Sequence, residues 1–234
     1  MTRSSLLRTL GVIAVPIALT LTAGCEALRP KATPQSSFYT LDRAMMEAPS
    51  AAVSGSTGSL RTPTLIVDPP HAAAGFDSSR IVYTREAHRL EYFAYSEWVD
   101  TPARMLPPIM AAAIAHGGVV RTVVLAPSVA SGDLRLDSEI IRLQQDFGFR
   151  PSRVRFTLRA TIVDESTHKV IAGSEFDQSV AAVTDDPYGG VVAANAAVKS
   201  AMEDLATFCA EAAQTWRASH TDAPMPLKES FLGR

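Results

Sequence analysis

The stretch from residue 90 to 114 constrains the fold most, because one periodicity gives way to another inside it. In its first half Tyr92, Ala94, Ser96 and Trp98 share one strand face, while Phe93, Tyr95, Glu97 and Val99 share the other. From Met105 the spacing is helical: Met105, Ile109 and Ala113 lie one above another, flanked by Leu106, Met110 and Ile114. Asp100-Thr101-Pro102 joins the halves, a capping residue with proline at the first helical position. A strand therefore runs into a helix whose apolar stripe must pack on a sheet. Most of these residues read as core without chemistry. Trp98 ends its strand near the surface and reads as a candidate contact. Pro107 and Pro108 fall inside the helical pattern, where each proline costs roughly 3 kcal/mol, so a first turn ending near Leu106, or a kink there, is expected.

The N-terminus reads as a targeting signal rather than as structure. Arg3 and Arg8 precede an apolar run over residues 11–21, too short to span a bilayer comfortably. The run ends in Leu21-Thr22-Ala23-Gly24-Cys25, which resembles a bacterial lipoprotein signal, cleaved before a cysteine that is then acylated on sulfur and amine. The usual leucine three residues before the cysteine is here Thr22, with Leu21 one position further out. An ordinary secretory signal with an incidental cysteine is the alternative. Cys25 is thus the candidate lipidation residue, and several acyl chains anchor stably because each buried CH₂ contributes about 0.8 kcal/mol. Removing 24 residues from 234 leaves 210, and the loss of Arg3 and Arg8 moves the formal net charge from −2 to −4. No basic stripe for nucleic acid and no polybasic membrane patch is present. Cys209 then has no disulfide partner within the chain and reads as a small buried apolar residue. Glutamate, not aspartate, follows Cys25. Aspartate there retains some lipoproteins in the inner membrane, so outer-membrane placement is favoured over inner, with the domain facing the periplasm.

The chain divides into a signal peptide over 1–24, a proline-bearing tether over 25–37, a folded domain over 38–217 and a disordered tail over 218–234. An apolar content of 47% allows that domain a real core. Strands are expected at 38–41, 64–67 and 80–84, the last forming a hairpin with 90–99, and again at 119–126. Residues 47–62, rich in Ala, Ser and Gly, read as a flexible surface loop. Residues 134–147 are ambiguous. Leu134, Leu136, Ser138 and Ile140 alternate with polar residues, but Ile140, Ile141 and Leu143 break the alternation; an extended strand is expected. Residues 154–163 form the cleanest amphipathic strand. Val154, Phe156, Leu158, Ala160 and Ile162 face one way, and Arg153, Arg155, Thr157, Arg159 and Thr161 the other. A turn at 164–168 leads to a partner strand over 169–183. Thr184-Asp185-Asp186-Pro187 opens a long helix, from about 190 to 217, with Ala194, Val198, Ala201, Leu205, Phe208, Ala212 and Trp216 on one stripe. The fold class is α+β: a mostly antiparallel sheet of about seven strands with two helices on one face.

Catalytic patterns are not visible. The histidines at 71, 88, 116, 168 and 220 lack metal-ligand spacing and read as solvated. Asp185 and Asp186 read as helix caps. Gly189-Gly190 lacks the phosphate-loop spacing, and no serine sits in a nucleophile elbow. Arg153, Arg155 and Arg159 form a stripe that reads first as the solvated side of a half-buried strand and second as a docking surface for an acidic partner. With Trp98 they are the candidate partner-docking residues.

Taken together, the signal, the early Phe38-Tyr39-x-Leu41 strand, the aromatic strand with Tyr92, Tyr95 and Trp98 leading to Pro102, Met105 and Leu106, and the long Ala-rich C-terminal helix resemble the ABC-type transport auxiliary lipoprotein family, which includes the paraquat-inducible protein C group. The resemblance runs from Phe38 to about Trp216, with Pro107-Pro108 as a departure. It implies a periplasmic, membrane-anchored accessory of an envelope lipid-transport system; with no catalytic constellation visible, neither enzymatic activity nor a cofactor is expected. Such a lipoprotein would dock a mammalian-cell-entry (MCE) substrate-binding protein, served by ABC transporter subunits, to a membrane, and could assemble as a homo-oligomeric ring. Composition and periodicity alone support a lipid-anchored α+β domain. A general envelope scaffold binding peptidoglycan or an assembly machine, and a lipid-anchored envelope hydrolase, remain the other readings at this point.

Overall fold

A computed structural model describes residues 35–42 and 62–221, except the side chain of Thr221. Cys25, the signal, nearly all of the tether and of the loop expected at 47–62, and residues 222–234 of the expected tail lie outside the described residues. The described elements are β1 (Ser37–Tyr39), β2 (Thr64–Val67), β3 (His71–Ala72), β4 (Arg80–Thr84), β5 (Glu91–Trp98), α1 (Pro102–His116), β6 (Thr122–Leu125), β7 (Leu134–Asp146), β8 (Arg153–Asp164), β9 (Lys169–Ala181) and α2 (Pro187–Thr221).

The 13-residue β7 is the spine of the sheet. Along one edge it takes β2, β3 and β4 in series, all parallel to it, with Leu65 opposite Leu134, His71 opposite Glu139 and Val82 opposite Gln144. Along the other it pairs with β8 antiparallel from end to end, and β9 continues the meander. Beyond β4 the sheet extends to β5 and then to β1, which runs parallel to β5; beyond β2 it extends to a parallel β6. The α+β class holds. The sheet is larger than expected and mixed, because β2, β3 and β4 follow one another without reversing direction, as one interrupted strand laid beside β7.

The inward face of β8 is as its alternation requires: Val154, Phe156, Leu158, Ala160 and Ile162 are all buried. The broken alternation of β7 is a β-bulge. Ile140 pairs with Leu158 and Arg142 with Thr157, leaving Ile141 between them. Leu134, Leu136, Ser138 and Ile140 face the core before it, Leu143 and Gln145 after it.

Helix α2 covers the inner face of β8 and β9 and packs against α1. Its stripe of Ala194, Ala197, Ala201 and Ala213, with Val198, Met202 and Leu205, is buried, the alanines allowing close approach. Its start is built as the sequence suggests: the Asp186 carboxylate accepts the Gly189 N–H at 2.7 Å, and Pro187 occupies the first helical position. The helix runs on through Thr221, past the expected end at 217. Helix α1 is continuous through Pro107 and Pro108, so the expected break does not occur. The two prolines remove the N–H groups that would meet the Ala103 and Arg104 carbonyls, at about 3 kcal/mol each. Against this, Leu106, Ile109, Met110 and Ile114 are buried, each worth roughly 1.5–3 kcal/mol, and that burial holds the helix together.

Candidate functional site

Strand register decides what the arginine stripe meets on the outer face of β7, β8 and β9. Arg159 lies directly between Glu139 of β7 and Glu175 of β9, and its guanidinium reaches both carboxylates, at 3.2 and 3.1 Å. Arg155 pairs with Asp177 at 2.9 Å, and the Thr157 hydroxyl donates to the same carboxylate at 2.7 Å. The Thr157 bond and the Arg155 charge hold Asp177 below the usual carboxylate range. Arg153 lies over the Phe149 ring at 5.7 Å. Further along, Arg135 grips both oxygens of Asp68 at 2.8 and 3.0 Å and Glu165 at 2.5 Å, which raises its affinity for the proton. Asp137 is pushed up by burial and by its hydrogen bond to Asp68. The face is thus a lattice of matched charges. Its arginines are engaged by their own sheet, and because these pairs are exposed each contributes about 0–1 kcal/mol, so a partner's carboxylates could compete for them.

Trp98 requires a correction. Only 3% of it is exposed, within the core beside Ile81, Leu143 and Ala194, and its backbone N–H donates to the Ser79 carbonyl at 2.7 Å. A side chain in that position cannot meet a partner without opening the domain. Phe38, Tyr92 and Tyr95, of the same aromatic segments, are exposed. The alternation placed Trp98 on a face with Ser96 but could not say which face would be covered.

Inside the domain, Gln145 is buried and donates to the Ser152 hydroxyl at 2.9 Å and to the Asp186 carbonyl at 3.2 Å. Its Oε1 faces Gly190, where a Cβ would come within 2.1 Å, so the second glycine of the pair is required by close approach. The gap beside them, lined by Ile81, Trp98, Leu143, Val154 and Ala194, measures about 10 Å³, room for one water and no lipid. Cys209 is buried, and burial pushes its thiol up to about 12, so it stays protonated and unreactive at neutral pH.

His220 departs from the solvated reading. It lies in the last turn of α2, stacked on Trp216 with ring centres 4.3 Å apart and its Nε2 3.4 Å from the Asp164 carboxylate. The spacing of four from Trp216 to His220 was the available signal. Among the described residues no group of three or more His, Cys, Asp or Glu side chains is placed to hold a metal ion, and no helix is long and apolar enough to cross a membrane.

These features define an α+β domain whose described polar groups chiefly join its own elements. A family model for the ABC-type transport auxiliary lipoprotein component matches residues 39–206, most of the chain, and the protein belongs to that family. Two solved structures share the fold. Protein XCC0632 from Xanthomonas campestris is 20% identical, with a TM-score of 0.63 over 67% of this chain and 89% of its own. An uncharacterized protein is 11% identical, with a TM-score of 0.58 over 75% of this chain and 99% of its own. No curated protein matches the chain.

Proposed function

We propose that this chain is a non-catalytic accessory of an ABC-type envelope transport system, anchored by acylated Cys25 and docking the system's periplasmic MCE-type substrate-binding protein to a membrane. The observation that carries the reading is the family match over residues 39–206, supported by the stretch from Leu21 to Cys25 in the same chain, which resembles a lipoprotein signal. Outer-membrane placement and assembly into a homo-oligomer are part of the proposal. The outer face of β8, with Arg153, Arg155 and Arg159, is the proposed docking surface, since exchanging exposed local ion pairs for a partner's carboxylates costs little.

The test is a mild-detergent pull-down of the lipoprotein from its native membranes, with partners identified by mass spectrometry. Recovery of an MCE-domain protein with transporter subunits is expected, and recovery reduced by the double variant Arg155→Gln/Arg159→Gln would place the contact on β8. Recovery of cell-wall or assembly proteins alone would put the envelope-scaffold reading first. In detergent phase separation, Cys25→Ala is expected to leave the detergent phase; its retention there would overturn the anchor.

A further inference from the structure

One end of the sheet gathers three loops. Thr84 lies opposite Asp146, Asp146 opposite Arg153, and Arg153 opposite Ala181. The β4–β5 loop (85–90), the β7–β8 loop (147–152) and the β9–α2 loop (182–186) therefore leave the sheet together. Hydrogen bonds tie them. The Phe147 N–H donates to the Thr84 carbonyl at 2.8 Å, the Ala182 N–H to the Ser152 carbonyl at 2.7 Å, and the Ser152 N–H to the Asp185 carboxylate at 2.6 Å. Each loop holds out one large apolar side chain: Leu90 is 38% exposed, Phe149 51% and Val183 81%. Arg85 and Arg153 sit over the Tyr83 and Phe149 rings at 5.1 and 5.7 Å. Apolar tips backed by arginines on aromatic rings suit the boundary between water and lipid, where stems and rings sit in the apolar layer and charged heads stay hydrated.

The opposite end also exposes apolar residues, Val129 (108%) and Val170 (65%), so exposure alone does not choose between them. The direction of β1 does. β1 runs parallel to β5, with Ser37 opposite Ser96, and β5 runs away from the β4–β5 loop. β1 therefore begins, at Ser37, on the side of its course that leads to the three loops. Cys25 is ten residues before Gln35, a contour of at most about 35 Å. From Ser96 back to Glu91, where β5 begins, is about 17 Å of strand. A lipid on Cys25 can thus hold the three-loop end against the surface it is anchored in.

We propose that this end of the domain rests on the lipid surface, with Leu90, Phe149 and Val183 entering the headgroup region. The proposal rests on the acylation of Cys25. The test is the full-length lipoprotein, carrying Phe149→Trp or Val183→Trp, reconstituted in vesicles of phosphatidylethanolamine and phosphatidylglycerol with brominated acyl chains. Native Trp98 and Trp216 are buried and give the background. Bromine is expected to quench most of the emission added at 149 and 183 and to leave that of Val129→Trp unchanged. An acylated, vesicle-bound protein without quenching at 149 and 183, or quenched instead at 129, overturns the proposal while the anchor stands. If intact mass shows no acyl group, the anchor reading falls; quenching at 149 and 183 would then still support the lipid-facing end, and its absence would overturn both.

Discussion

The Asp164 carboxylate fastens the β8–β9 turn to the end of α2. One of its oxygens accepts from the Ser166 N–H and hydroxyl at 2.8 and 2.6 Å and from the Thr167 N–H at 3.1 Å; the other accepts from the Trp216 indole N–H at 3.1 Å. Burial pushes Asp164 up, but these bonds and the charge of His220 outweigh it and leave the group below its ordinary value of 3.8. A carboxylate depressed in the folded state stabilises the fold above its unfolded value of about 3.9, and that contribution is lost as pH falls from there through the folded value. Asp164→Asn is expected to lower stability at neutral pH by about 2 kcal/mol and to flatten this part of the acid limb. Urea denaturation across the acid range checks it, and an acid limb unchanged from the parent would refute the assignment. Gly190→Ala brings a Cβ against a Gln145 amide that two hydrogen bonds hold in place, so a loss of roughly 1–3 kcal/mol is expected. Combining it with Gln145→Ala should cost less than the separate losses together, a coupling measurable in the same denaturation experiments.

Among the elements, β7 carries the sharpest test. Ile141 is the extra residue that the bulge absorbs: without it Ile140, Arg142 and Leu143 would alternate in, out and in against Leu158, Thr157 and Phe156. Deleting Ile141 removes only the unpaired residue, so Leu143 and Gln145 are expected to stay facing the core in unchanged register with β8, and the variant is expected to keep a folded state with a cooperative urea unfolding transition. A deletion variant without a cooperative transition would show instead that the bend made by the bulge is required. The bulge also marks how legible the fold was. Strand β8 declares itself, because strict alternation has one structural solution. β7 shows its bulge as three misplaced apolar residues, a pattern that a helix start or a strand end could equally produce. The direction of β2 and β4 left no trace, since pairing with β7 depends on where the chain goes between them. The proline pair in α1 misled in the other direction, because local penalties are visible in sequence and the burial that offsets them is not. At the candidate surface the arginines were legible as an outward face. Their carboxylate partners lie 16 to 22 residues away on neighbouring strands, and only the register joins them.

At the scale of the whole molecule, membership of a transport-auxiliary family fits a domain whose described polar groups chiefly hold the domain together. The arrangement around β7 has a further consequence, for the order in which the chain acquires structure. β7, β8, β9 and α2 follow one another in sequence and need only turns to meet, whereas β2 lies some seventy residues upstream of the edge it joins. Local closure is faster than distant pairing. Pulsed hydrogen exchange during refolding should therefore find amides of β7 to β9 protected before those of β2 and β4, and earlier protection of β4 and β5 would contradict it. A chain delivered from its N-terminus presents β2, β3 and β4 before their template exists. Those strands must wait, edges bare, for Leu134 and the residues after it, and that interval is when a holding chaperone has most to protect.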